Sequence, residues 1–188
     1  MGLLKDFKYY TPATLKEALG LLQNAGYPLV LAGGTFSLNH LKKAAKYPTD
    51  VVGLKKVSAL RGIKDSKFAV AIGAMTTMAE ISASGVIRKN FPSLVEACSK
   101  IATTPIRNMA TIGGNVASRF FWVDLPAVLI SLGAKISIAK PMAKPGKERV
   151  VSVQEFLGSK PPEKFILTKV ILSKSDSLSF YFRHTKTM

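Results

Sequence analysis

A chain of 188 residues, 47% hydrophobic and 20% charged, carries enough apolar material for one ordinary domain or two small subdomains sharing a core, which excludes wholesale disorder. Lys plus Arg number 27 against 11 Asp plus Glu, a formal charge of +16, yet no basic run reaches five residues and no aromatic residues interleave with a basic stripe, which argues against nucleic acid as a partner. A single cysteine, Cys98, excludes an intramolecular disulfide and any cysteine cluster for zinc or iron and sulfur.

The opening stretch MGLLKDFKYY lacks the apolar centre of a signal peptide, and Asp6 stands where an acylation motif needs Ser or Thr. No uninterrupted apolar run approaches the ~20 residues of a membrane helix, so the chain reads as cytoplasmic without a membrane span. The lysines come singly or in pairs, as at Lys42 and Lys43 or Lys55 and Lys56, and thicken from Lys140 to Lys174, the pattern of a solvated basic face.

TPATLKEALGLLQNAG predicts a helix with Thr11 as N-cap, Pro12 at its first position, Leu15, Ala18, Leu19 and Leu22 on one face and Gly26 as its stop. YPLVLAGGTFSL is a short apolar run ending in two glycines, the pattern of a buried strand that turns tightly at its carboxyl end. A short helix over SLNHLKKAAK and a buried strand at DVVGL complete a βαβ unit, and with it a parallel strand pair. LRGIKDSKFAVAIGAMTT then alternates about KDSK as a hairpin does. TTMAEISAS and FPSLVEACSKIAT have helical spacing, the second turning Leu94, Ala97, Cys98 and Ile101 inward. IRNMATIGGNVAS reads as a glycine turn, DLPAVLISLGAKISIAK as a helix ending at Gly133 followed by a strand, and PMAKPGKE as a turn. RVVSVQEFL is a strand with a short helix, FILTKVIL a late apolar strand, and the tail SDSLSFYFRHTKTM the start of one more strand.

Two glycine pairs stand out, AGGT at 32–35 and TIGGN at 111–115. A pair without Cβ atoms lets successive amides point into one concavity, and a following helix start adds partial positive charge, so an anion can sit against the main chain. Thr35 and Thr111 offer hydroxyls and Asn115 an amide. Neither pair fits the spaced-glycine dinucleotide fingerprint, and no glycine loop ends in Gly-Lys-Ser/Thr. Taken singly, each is as well explained by a tight turn.

The ordered set VLAGGT, IGAMTT, IRNMATIGGNVA and DLPAVLISLGA resembles the FAD-binding subunit of the molybdenum hydroxylases, the family of xanthine dehydrogenase, carbon monoxide dehydrogenase and related aldehyde oxidoreductases. The resemblance covers nearly the whole chain. It implies an α/β (α+β) fold in two FAD-binding subdomains, a small βαβ part over 1–55 and a larger mixed or antiparallel sheet with helices over 56–175, with a tail at 176–188 and FAD between the subdomains. By the same resemblance Leu31, Ala32, Gly33, Gly34 and Thr35 form the first loop around the diphosphate, and Ala110, Thr111, Gly113, Gly114 and Asn115 the second. Ile101 and Ala102 approach the cofactor from the preceding helix, Asp124 contacts it, and Leu167 lies near the flavin ring. Asp124 is then an acceptor for a ribose or ribityl hydroxyl, since like charges repel it from the diphosphate.

The implied function is electron transfer. FAD receives electrons from an iron-sulfur subunit and passes them to an acceptor such as NAD or a quinone, while substrate is oxidised on a separate molybdopterin-containing large subunit. No catalytic side chain and no metal ligand is called for. Glu80 and Glu96 lack a second carboxylate, His40 and His184 lack partners at metal spacing, and Cys98 sits on an apolar helical face. Arg107 either bonds nearby carbonyls or meets a partner's acid.

The chain departs from the family pattern in three places. Phe36 follows Gly-Gly-Thr where a polar or acidic residue is usual. SRFFWV replaces a run of small residues and proline before Asp124, so that Phe120, Phe121 and Trp122 are a wall shielding the flavin ring, a patch against another subunit, or plain core. Family members also continue for roughly another hundred residues into a C-terminal domain, whereas this chain ends near Arg183, the nearest match to a basic residue by the flavin. Either the protein is short or a partner supplies that part. These departures keep open a non-catalytic basic binding protein, or a flavin-domain paralogue that has lost FAD.

Overall fold

The structure is a computed structural model and describes residues 6–37, 41, 47–120, 122–141, 147–160 and 162–184. It contains two sheets, as an α/β reading of the sequence requires. The first is built from β1 (Lys8–Tyr10), β2 (Pro28–Leu31) and β3 (Asp50–Gly53) in the order β1-β3-β2, with both pairings parallel. The predicted βαβ pair β2–β3 is therefore present. β1 was not foreseen, because three residues of KYY carry no alternation to read.

Helix α1 (Leu15–Asn24) begins later than predicted: its N-cap is Thr14, not Thr11. The Thr14 hydroxyl accepts from the Glu17 amide at 3.2 Å, and the Glu17 carboxylate accepts from the Ala13 amide at 2.8 Å. That reciprocal pair satisfies two donors at once, which Thr11 and Pro12 cannot do. Ala18 and Leu22 form its buried face. The predicted helix over 37–46 lies outside the described residues apart from Ser37 and the buried Leu41.

The second sheet comprises β4 (Ile63–Asp65), β5 (Ala69–Gly73), β6 (Lys135–Ala139), β7 (Arg149–Ser152) and β8 (Ile166–Ser173), ordered β4-β5-β8-β6-β7 and antiparallel at every pairing. Between β5 and β6 run α2 (Met78–Ala83), α3 (Gly85–Asn90), α4 (Pro92–Ser99), α5 (Thr104–Met109), α6 (Ile112–Ser118) and α7 (Asp124–Ser131), and α8 (Val153–Gly158) follows β7. α2 opens with a full capping box between Thr77 and Glu80. α3 escaped the sequence reading because Ser84 both ends α2 and caps α3, leaving no loop to mark the break. The stretch read as a glycine turn is helical on both sides of Ala110. The tail forms no strand among the described residues, and most of the predicted turn at 141–148 lies outside them.

Two apolar clusters hold the chain together. The larger packs Val70, Ile72, Ile136, Val170 and Leu172 of the second sheet under the helices through Ile81, Leu94, Ile112, Leu125 and Leu129. The smaller joins Ala18, Leu22, Val52 and Leu54 to Val57, Leu60, Met75 and Ile166, so residues 1–55 do not close it alone. A bulge in β8 makes the join: Ser137 faces Lys169 and Ile138 faces Leu167, which leaves Thr168 over. The extra residue reverses the side-chain parity. Leu167 turns to the larger cluster with Val170 and Leu172, and Ile166 turns to the smaller. Lys164, two residues earlier, donates to the Ala25 and Gln23 carbonyls at 2.7 and 3.2 Å, placing positive charge at the end of α1.

Ile166 is 1% exposed and ties the second sheet to the first. Ile166→Ala is expected to lower the free energy of unfolding by about 2–5 kcal/mol, measured by urea titration, with one cooperative transition for both sheets.

Candidate functional site

The two glycine pairs meet. β2 ends at Leu31, and Ala32 through Thr35 leave the first sheet directly toward the start of α6. A Cβ on Gly33 would overlap the carbonyl of Met109 and lie 3.2 Å from the Ala110 Cα, so the two main chains pass in contact. Gly34 follows with φ +73°, a left-handed turn. From the other side, a Cβ on Gly113 would lie 2.5 Å from the Ala74 Cβ and one on Gly114 would lie 3.5 Å from the Ala32 Cβ. Ala32, Gly33, Gly34, Ala110, Gly113 and Gly114 are thus one joint where the first sheet, α6 and the chain beyond β5 come together.

The amides of the two pairs have different fates. Ile112 N–H donates to the Thr76 carbonyl at 3.0 Å, Gly113 N–H to the Ala74 carbonyl at 2.9 Å, and Asn115 N–H to the Thr111 carbonyl at 3.0 Å. Gly114 N–H donates to the Thr111 hydroxyl at 3.1 Å, which caps α6. The expectation that this second pair offers its amides to an anion is corrected here: all four are engaged within the protein. Among the described residues the amides of Gly33 and Gly34 have no protein acceptor, so any amide cradle belongs to the first pair.

Other donors and acceptors surround the joint. The Asn115 carboxamide oxygen is buried and has no hydrogen-bond partner among the described residues. Such an orphan costs about 1–3 kcal/mol and marks a place where a donor belongs. Asp124 begins α7 and accepts from the Tyr181 hydroxyl at 2.9 Å, with the Arg183 guanidinium at 3.3 Å. Burial and that carboxylate push the Tyr181 hydroxyl up to about 12. Arg183 is the nearest match to the basic residue that the resemblance implies by the flavin, whereas Tyr181 carries no signal of its own in the sequence. The tail therefore lies along α7 as a strap, its Ser179 hydroxyl 2.8 Å from that of Ser93.

Ile101, which packs against the larger cluster, and Ala102 lie between α4 and α5. They form a turn in which Ala102 has φ +40°, held because Arg107 donates to both their carbonyls, at 2.8 and 3.1 Å, and to the Thr104 hydroxyl at 2.8 Å. Arg107 is thus a brace for this turn. Leu167 is 5% exposed inside the larger cluster. Its link to the joint runs through Thr168, whose carbonyl accepts from Ala74, the residue on which Gly113 rests.

The residues that depart from the family pattern converge. Phe36 and Phe120 have ring centroids 4.2 Å apart, and Phe120 stacks on Trp122 at 4.4 Å with 19° between planes. Phe121 lies outside the described residues, as does His40. Arg119, which belongs to no motif in the sequence, takes a left-handed conformation at φ +56° to end α6. Its guanidinium bonds the carbonyls of Phe156, Leu157 and Ser159, the last two at 2.8 and 2.5 Å. The remaining candidates have structural partners: Cys98 is buried against Met78, burial pushing its thiol up to about 12, Glu80 caps α2 and Glu96 pairs with Lys100. Among the described residues no cluster of three His, Cys, Asp or Glu is placed to hold a metal, and no helix is long and apolar enough to cross a membrane.

Residues 5–174 match the family model described as the FAD binding domain in molybdopterin dehydrogenase. The chain belongs to this family. Its relatives include the carbon monoxide dehydrogenase medium chain of Hydrogenophaga pseudoflava, 32% identical over 154 residues, 81% of this chain and 53% of that one. The xanthine dehydrogenase FAD-binding subunit of Escherichia coli O157:H7 is 32% identical over 138 residues, covering 72% of this chain and 47% of that one. The chain spans about half the length of these curated relatives. In three dimensions it is similar to a chain of carbon monoxide dehydrogenase from H. pseudoflava, with a TM-score of 0.86 at 27% identity over 94% of this chain and 62% of that one. Quinoline 2-oxidoreductase from Pseudomonas putida 86 gives 0.85 at 26% identity, over 93% of this chain and 61% of that one.

Within this family member the glycine joint makes a direct prediction. Gly33→Ala is expected to cost about 1–3 kcal/mol because the clash is with backbone. Gly20→Ala, inside α1 with nothing within 4 Å of the new Cβ, is expected to gain about 0.5–1 kcal/mol. Thermal unfolding of both variants against the parent gives the comparison.

Proposed function

We propose that this chain holds FAD across the joint of its two glycine pairs and serves as the FAD-binding, electron-transferring part of a multisubunit molybdenum hydroxylase. The observation that carries the reading is the pairing of the Gly33 and Gly34 amides with the Asn115 carboxamide oxygen, all without a partner among the described residues. The first are donors suited to a diphosphate, which amides bind without burying a lysine. The second is an acceptor suited to a hydroxyl or ring N–H. A ligand carrying both an anion and hydroxyl donors satisfies the set, and the family match supports FAD.

In this reading Gly33, Gly34 and the Thr35 hydroxyl hold the diphosphate, with Leu31 and Ala32 shaping the loop. Ala110, Thr111, Gly113 and Gly114 set the distance to the second wall and orient Asn115. Asp124 accepts from a ribose or ribityl hydroxyl in exchange for its bond from Tyr181 or Arg183. Ile101, Ala102 and Leu167 complete the apolar lining. The boundary near position 55 separates two subdomains that share the smaller core, and the cofactor lies between them. When bound, the isoalloxazine ring supplies the redox chemistry; no side chain acts as a nucleophile or proton donor.

The electrons come from an iron-sulfur subunit, substrate is oxidised on a molybdopterin-containing subunit, and the acceptor is a carrier such as NAD or a quinone. A net charge of +16 suits docking to acidic partners. That association is expected to weaken steeply with ionic strength; binding indifferent to salt would count against it.

FAD added to the purified chain is expected to stay bound through gel filtration, with the visible flavin band in the protein peak. A chain that takes up no flavin overturns the reading. Asn115→Leu removes the orphan, so the flavin-free protein should melt no lower than the parent while FAD affinity falls roughly tenfold. Gly114→Val, which fills the gap to Ala32, is expected to leave a folded chain that binds no FAD.

A further inference from the structure

We infer that the face of the antiparallel sheet turned away from the helices is a docking surface for a protein that presents carboxylates, with Lys64, Lys135 and Lys169 set around an apolar centre at Ala71 and Ile171. The inference rests on the acidic-partner reading above and gives that partner a place on this chain. It does not depend on FAD.

Register decides which residues lie on this face. Side chains alternate along a strand, and Val70, Ile72, Ile136, Val170 and Leu172 all enter the larger core under the helices, so their neighbours line the opposite face. Pairing runs from Lys64 to Ala71, Ala71 to Ile171, Ile171 to Lys135 and Lys135 to Ser152, one row across all five strands. The row beside it sets Lys169, Ser137 and Val150 next to one another.

These rows are open. Lys64 and Lys135 are exposed, Ala71 and Ile171 are half-buried, and Val150 is 50% exposed, whereas Val151, its neighbour on the core face, is 8% exposed. Ala69 and Ala71 are the β5 residues here, small enough for another chain to approach the sheet closely. An antiparallel sheet tolerates one solvated face, but such a face is ordinarily polar, and the middle of this one is not.

Charge identifies the occupant. Among the described residues Lys64 and Lys135 form no ion pair, and neither row contains an acid. Glu148, which accepts from the Ser137 hydroxyl, is already paired with Lys169 at 3.2 Å. Asp65, next along β4, has the other parity and is paired with Lys174 at 2.5 Å. The complement must therefore come from another molecule. Three strand spacings set the Lys64 and Lys135 backbones about 14 Å apart with Ala71 and Ile171 between them. That arrangement suits an apolar spot ringed by several carboxylates, the anatomy of a protein interface, and offers a nucleic acid no aromatic ring on which to stack a base.

The test is amine acetylation of the chain alone and of the native complex isolated through a tag on it, read lysine by lysine by mass spectrometry. Lys64 and Lys135 are expected to be protected in the complex, while the exposed Lys16 of α1 and Lys89 of α3 label equally in both. Carbodiimide, which joins an amine directly to a carboxylate, is expected to link Lys64 or Lys135 to an Asp or Glu of a different chain. Lys64→Glu with Lys135→Glu is expected to weaken the association on the order of tenfold, and Lys16→Glu with Lys89→Glu, the same change in charge, to leave it at the parent's value. Both pairs are expected to keep the parent's FAD uptake and melting temperature. Equal labelling of Lys64 and Lys135 in the two states, or an equal loss in the two pairs of variants, would overturn the face and leave the acidic-partner reading standing. Links only between copies of this chain, or protection abolished by nuclease, would overturn the protein partner proposed here. A tagged chain that elutes alone would overturn the face and the acidic-partner reading together, and none of these results bears on the FAD site.

Discussion

The carbonyl of Met109 occupies the space where a side chain at position 33 would begin, and the rest of the molecule is arranged around that contact. Only a residue without a Cβ lets the loop leaving β2 run against the end of α5. The same device recurs at Gly113, which lets α6 rest on Ala74 with a hydrogen bond between the backbones. Two sheets of different topology, parallel and antiparallel, are thereby joined main chain to main chain. A joint made this way leaves polar backbone at its surface, which a side-chain interface would have covered.

The two glycine pairs look alike in sequence and do different work. In the second, Thr111 caps α6 and every amide of the first turn finds an acceptor, so the pair serves packing. In the first, the left-handed turn at Gly34 follows the end of β2, and its amides face no acceptor among the described residues. The partners Thr76 and Ala74, contributed by the chain after β5, make the difference. The buried Asn115 oxygen is then an acceptor without a partner among the described residues.

Electrostatics divide in the same manner. The positive character of the proposed cofactor site comes from amides, while lysines such as Lys164 and Lys169 act elsewhere, one at the end of α1 and one paired with Glu148 at 3.2 Å. Glu148 is held below the usual carboxylate range by hydrogen bonds from Ser137 and Lys169, against the opposing effect of its own burial. Asp124 differs in having its partners on a strap outside the sheets, where a ligand can exchange with them.

Much of the fold was legible in local patterns. The parallel β2–β3 pair, the β4–β5 hairpin, the helix ending at Gly133 and the strand FILTKVIL all follow from periodicity and turn residues, which act over a few positions. The ordered glycine motifs carried the family. Helix starts were less legible: Thr11, followed by Pro12, reads as the cap, whereas the Thr14 hydroxyl accepts from the Glu17 amide and the helix begins there. What local pattern cannot carry is any feature made by two distant segments. The bulge at Thr168 sends Ile166 and Leu167 into different cores, the αL turn of Arg119 reaches α8, and Phe36 meets Phe120 across more than eighty positions. Composition and periodicity determine which residues are helical, extended or buried. Which amides remain open and which rings stack depends on what the folded chain brings opposite them, since hydrogen bonding and packing are properties of pairs.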